Sequence, residues 1–204
     1  MRVTAFRYPA SAAWRALALA LAVAPVAALA HQETGQAAGV LAGLAHPVSG
    51  LDHVLAMIAV GLWGAVLGPP AIWVLPVAFP LVMAFGGLMG LLGFALPGVE
   101  IGIALSAIVL GAMVLAEVRP PLWLAALIVA FFAIFHGHAH GRELPDGTSA
   151  LLYSLGFVVA TGLLHAVGIL LGVAHRWAAG RRFVQMAGGG VALAGLFFLW
   201  RAVV

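Results

Sequence analysis

The sequence predicts an all-α integral membrane protein, with six transmembrane helices following an N-terminal signal peptide. Three observations carry that expectation. Of 204 residues, 65% are hydrophobic and only 7% are charged, whereas a soluble domain carries about 25% charged residues. The apolar residues fall in runs of the ~20 residues a helix needs to cross the hydrocarbon core. Short breaks rich in proline and glycine separate the runs, and such breaks terminate helices.

The elements follow in order. Arg2, Arg7 and Arg15 form a basic n-region, Ala16 to Val23 an apolar h-region, and Pro25 breaks it. Ala28-Leu29-Ala30 then reads as a small-x-small cleavage site. Residues 1–30 are thus expected to be a signal peptide and 31–204 a single six-span domain, with His31 the first mature residue. An uncleaved anchor helix is the alternative, and either leaves residue 31 outside. The spans are expected at about 49–68, 71–94, 99–118, 121–140, 149–175 and 183–203. Arg119, Arg176, Arg181 and Arg182 then face the cytoplasm, and Arg142 and Arg201 lie outside. That bias orients the chain as a multi-pass protein of the bacterial inner membrane with a periplasmic mature N-terminus.

Finer features follow the same frame. Gly64/Gly68, Gly86/Gly90, Gly98/Gly102 and Gly168/Gly172 are small-residue pairs that let helices pack closely. Gly188-Gly189-Gly190 marks a flexible or broken point in the last span. Trp63, Trp73, Trp123, Trp177 and Trp200 fall near span ends, as interfacial anchors do. Glu117 and Arg119 are expected to form a solvated pair.

Composition excludes several classes of function. The absence of cysteine removes disulfides, thiolate-zinc sites and iron–sulfur ligation. The absence of lysine removes a Walker-type phosphate loop, so no ATP hydrolysis is expected. The net charge of +3 rests on nine scattered arginines, which make no nucleic-acid patch. No resident cofactor is expected; the partners are the bilayer and a small ligand.

Two polar clusters stand out. The first is His46-Pro47-Val48-Ser49-Gly50-Leu51-Asp52-His53, at the start of the first span. The second is Phe135-His136-Gly137-His138-Ala139-His140-Gly141-Arg142-Glu143, at the close of the fourth. With this span count both fall in the same leaflet. Ionisable groups in a membrane are costly and usually functional. Imidazole and carboxylate without thiol form a ligand set for a divalent metal such as nickel, cobalt or zinc.

Spacing refines the picture. His136, His140 and Glu143 share one helical face if the helix continues, with His138 pointing away. If Gly137 and Gly141 unwind the end, all three histidines converge. Pro47 breaks the chain, so His46 reaches in from a re-entrant or loop segment. Asp52 either binds metal or orients a histidine. Met57 lies one turn beyond His53 and places a thioether beneath its ring. The competing reading is a polar helix start for the first cluster and a weakly chelating loop for the second.

At these residues the chain resembles the HupE/UreJ family of nickel-transport proteins. The family patterns H-P-x-x-G-x-D-H and F-H-G-x-A-H-G-x-E both match in full, in order, and the signal peptide and six spans fit. The resemblance implies a nickel permease serving hydrogenase or urease maturation, with His46, Asp52, His53, His136, His140 and Glu143 as the functional set. His138 falls at a variable position of the pattern.

Other polar groups are less decided. His165, deep in the fifth span with Thr161 one turn before it, is a packed core residue, a second metal station or a proton relay. His31 would pair a free amine with imidazole after cleavage. Glu100 lies near the outer end of the third span, and His175 is expected at the cytoplasmic interface. Two rival functions use the same ligands: a metal-binding accessory protein that passes its ion to a partner without moving it across, and an intramembrane metal-dependent hydrolase with Glu143 as base.

Overall fold

Proline and glycine cut the chain into seven helices among the described residues, which are 36–144 and 147–204 of the computed structural model. These are α1 (Gln36–Ser49), α2 (Leu51–Leu67), α3 (Ala71–Leu91), α4 (Val99–Leu115), α5 (Leu122–Arg142), α6 (Ala150–Gly172) and α7 (Ala178–Val203). A 3-10 turn, Val173–Arg176, joins the last two. All lie in one unit, Gly35–Val204. The expected signal peptide, its cleavage site and His31 fall outside the described residues.

Helices α3, α5, α7 and α6 with its turn are long and apolar enough to cross a bilayer. The bent pair Gly39–Ser49 and Leu51–Leu67, which meet at 84°, is a broken span or a re-entrant loop and makes a fifth crossing in the first case. Helix α4 has 17 residues, or about 25 Å at 1.5 Å per residue, short of the ~30 Å hydrocarbon core. The chain is thus a multi-pass helical membrane protein with four or five crossings by length, where six were expected. The sequence reading missed α1, whose Gly, Ala and Pro content gives a weak apolar signal. The break lies at Gly50 rather than at Pro47, which sits inside the last turn of α1.

Helix α2 is the centre of the bundle, buried on every side from Ala59 to Val66. It packs on α3, α4 and α6. Around it α3 pairs with α5 and α4 with α7, while α1 covers the first half of α6. The outer surface is apolar: Leu81, Leu127, Leu170 and Leu193 are all exposed.

The α3–α5 contact depends on glycine from both sides. Gly86 and Gly90 lie against the Ile134 and His138 carbonyls, and Gly137 and Gly141 against those of Met83 and Gly87. A Cβ at any of these positions would meet backbone. The two glycines of the second cluster therefore serve close packing and leave the helix wound, so the unwound alternative does not hold. Gly188 likewise packs against the Gly111 carbonyl and Leu115, and α7 runs unbroken through the glycine triplet.

Two more expectations change. Trp63 is fully buried and donates its indole N–H to the Val118 carbonyl at 3.0 Å; it ties α2 to the α4–α5 loop instead of anchoring to an interface. Trp73, Trp123, Trp177 and Trp200 are exposed. Glu117 pairs with Arg181 on α7 at 2.6 Å rather than with Arg119. It occupies the left-handed region at φ 50° because it caps α4, with Val118 N–H bonded to the Met113 carbonyl. The Arg181 hydrogen bond holds its carboxyl below the usual carboxylate range.

Candidate metal centre

The two sequence clusters meet at one end of the bundle. His46 closes α1, Asp52 and His53 open α2, and His136, His140 and Glu143 close α5. The helix continues to Arg142, so His136, His140 and Glu143 share a face and His138 turns away. A cavity of about 210 Å³ is lined by His46, Ser49, Gly50, Asp52, His53, Glu100, His140 and Glu143.

The bend at Gly50 makes this convergence work. Residues on the two arms, His46 and His53, both reach the cavity. A Cβ at Gly50 would come within 2.9 Å of Asp52 Oδ1 and 3.1 Å of His53 Nδ1, so a larger residue would crowd that pair. Ser49 Oγ donates to the His46 carbonyl at 2.7 Å and closes the end of α1.

Four imidazoles form a continuous chain. Ring centroids stand 4.8 Å apart for His46 and His140, 4.5 Å for His140 and His53, and 4.7 Å for His53 and His136. Its two ends differ in exposure. The Glu143 side chain is 56% exposed and that of His46 22%, while His136 is fully buried. At the mouth, His46 Nε2 lies 3.0 Å from Glu143 Oε2. Ligand atoms of His46, His140 and Glu143 all lie within 4.8 Å of one another, close enough to share one ion.

Hydrogen bonds fix which nitrogens are free. Asp52 Oδ1 accepts from both the backbone N–H and Nδ1 of His53, each at 2.9 Å. That leaves the lone pair on the buried, unpartnered Nε2. Ser106 Oγ donates to the Ile103 carbonyl at 2.6 Å and so must accept from His136 Nε2, 2.9 Å away. The His136 lone pair is then on Nδ1, also buried and unpartnered. Such partners set tautomer and ring orientation in metal sites. Both nitrogens of His140 are unpartnered. Unpaired buried nitrogens are costly, and a cation between the rings would satisfy them.

His138 has a different place. Helix α3 ends in a Schellman-type cap, with Phe94 N–H bonded to the Met89 carbonyl and Gly93 left-handed at φ 77°. The cap presents the Phe94 carbonyl to His138 Nε2 at 2.7 Å. This ring fastens the α3–α4 loop to α5. Met57 is fully buried in the core of α2. His165 lies deeper, and His175 caps the end of α6 through the Gly172 carbonyl at 3.1 Å.

Several contributors were missed in the sequence. Ser106, Tyr153, Phe157 and Phe79 all touch the histidine chain. A signal for some existed: Tyr153, Phe157, Thr161 and His165 recur every four residues, one stripe of α6.

This bundle and cavity define a multi-pass α-helical membrane protein with a histidine–carboxylate pocket opening at one end. The chain belongs to the HupE/UreJ family, whose model, described as HupE / UreJ protein, matches residues 19–198. It is 49% identical over 180 residues to "Protein HupE" of Rhizobium leguminosarum bv. viciae, covering 88% of this chain and 94% of that protein. No solved structure matches the chain.

Proposed function

We propose that the protein is a secondary permease for Ni2+, with Co2+ as a second substrate, that supplies hydrogenase or urease maturation. It acts in the bacterial inner membrane with the histidine cavity facing outward. The observation that carries this reading is one cavity that gathers His46, His53 and His140 beside Asp52 and Glu143, with unpartnered nitrogens on His53 and His140. The ligand set is His46, Asp52, His53, His136, His140 and Glu143. Asp52 acts by orienting His53, and Glu143 by drawing the hydrated dication to the mouth.

A hydrated dication does not enter lipid, so the cavity replaces its water shell with nitrogen and oxygen. The membrane potential then drives it inward. At about 2.3 kcal/mol per charge per 100 mV, a dication gains about 4.6 kcal/mol, roughly a thousandfold accumulation without ATP.

The test is 63Ni2+ uptake into liposomes holding the purified protein under an inside-negative potential, beside His53→Ala. Uptake that is lost in the variant, and that cold nickel competes better than cobalt, supports the permease. Binding without accumulation would replace it with a protein that delivers metal to a partner.

A further inference from the structure

Proline frees a carbonyl in the middle of the bundle. Helix α3 carries Pro76 and Pro80, four residues apart. A helical carbonyl accepts from the N–H four residues on, and Pro80 has none, so the Pro76 carbonyl loses its partner. Within hydrocarbon such a group must be satisfied by protein. The Pro76 carbonyl lies beside His165. The His165 residue is 1% exposed, and its nitrogens have no partner apart from that carbonyl. Thr161, one turn earlier on the same face, is fully buried with its Oγ unpartnered. Phe79 packs against both His136 and His165, with centroids 5.5 Å from each. Two buried side chains, His165 and Thr161, thus stand beside a freed carbonyl, one aromatic ring beyond His136.

We propose that His165, Thr161 Oγ and the Pro76 carbonyl form a second, inner binding site for the divalent cation, occupied after it leaves the cavity. This rests on the permease reading. One imidazole, one hydroxyl and one carbonyl make a neutral donor set, and no carboxylate holds the ion there. Such a site binds weakly and releases readily, as a transit point requires. His165 lies seven residues before the end of α6, or about 10 Å from the end opposite the cavity.

The absence of cysteine makes the test direct. A thiol introduced by His165→Cys is the sole thiol in the chain. Cd2+ added to the detergent-purified variant should give a cadmium–thiolate absorption band, and in liposomes it should block 63Ni2+ uptake. Leu163→Cys, on the same helix but 62% exposed on the apolar surface, should give neither. No band at position 165, or equal bands at both positions, overturns the proposal. So does wild-type uptake by His165→Ala. A band at 165 alone, with no nickel uptake even by the unsubstituted protein, keeps the inner site and sinks the permease instead. If His165→Cys does not fold, Thr161→Ala carries the test. Its maximal uptake rate should fall about tenfold with KM and cavity affinity unchanged; an unchanged rate refutes the inner site.

Discussion

In Ser106→Ala the buried Nε2–H of His136 loses its acceptor. The residue is fully buried and Ser106 is its hydrogen-bond partner, so no water replaces the hydroxyl. Leaving that donor bare costs about 1–3 kcal/mol. The metal-free ring escapes by moving its proton to Nδ1 or by turning. Either response takes the Nδ1 lone pair out of its native place. Binding Ni2+ must then restore the strained tautomer and recover the same penalty. The expected result is a Kd raised about 5- to 150-fold, the equivalent of 1–3 kcal/mol. Isothermal titration of the detergent-purified protein with NiCl2 near neutral pH measures it, with His136→Ala alongside. A wild-type Kd in Ser106→Ala, with a weakened one in His136→Ala, would refute the tautomer argument. Wild-type Kd in both would remove His136 from the ligand set.

Other expectations follow from the same geometry. His138→Ala should keep Ni2+ affinity and lower thermal stability, because its ring ties a loop; His140→Ala should lose affinity by at least the roughly tenfold scale typical of metal-site changes, read by the same titration. Gly137→Leu should force α3 and α5 apart and cost more than the 1–3 kcal/mol usual for overpacking, seen as a lower melting temperature or loss of folded protein. Glu117→Gly should be near neutral in thermal unfolding, since relief of the left-handed backbone offsets the lost ion pair, whereas Glu117→Val should destabilise. The Glu117 carboxyl sits below its usual range, so its contribution is present above that range and fades as pH falls through the lowered value; high salt should weaken it too. Ni2+ affinity should drop at acid pH, where protons compete with the ion for the imidazole nitrogens, and a rising affinity there would contradict nitrogen ligation.

What the sequence made legible was periodic or chemical. Proline and glycine marked the helix ends because they act through the local backbone, and long apolar runs marked the helices between them. The two histidine clusters were readable as partners because their chain positions put them at one end of an alternating bundle. What stayed hidden depended on contacts between distant elements. Nothing local says that Trp63 finds the Val118 carbonyl, or that Glu117 prefers Arg181 to its near neighbour Arg119. Ser106 looks like any small polar residue in an apolar helix until His136 is placed against it. The bend at Gly50 was misplaced because proline is the stronger breaker by rule, yet Pro47 fits within a final helical turn and Gly50 alone allows the close approach of Asp52 and His53.

The paired prolines of α3 also bear on how the chain is made. Pro76 and Pro80 leave two carbonyls, those of Ile72 and Pro76, without helical donors. Helix α3 enters the bilayer well before α6 has been synthesised, and it is the α6 residue His165 that stands beside the Pro76 carbonyl. An early intermediate therefore carries an incomplete backbone in hydrocarbon, at a cost of several kcal/mol per bare group. The late helix completes the early one. Assembly of this bundle thus draws on that unfinished backbone as well as on the glycine contacts that later hold it shut.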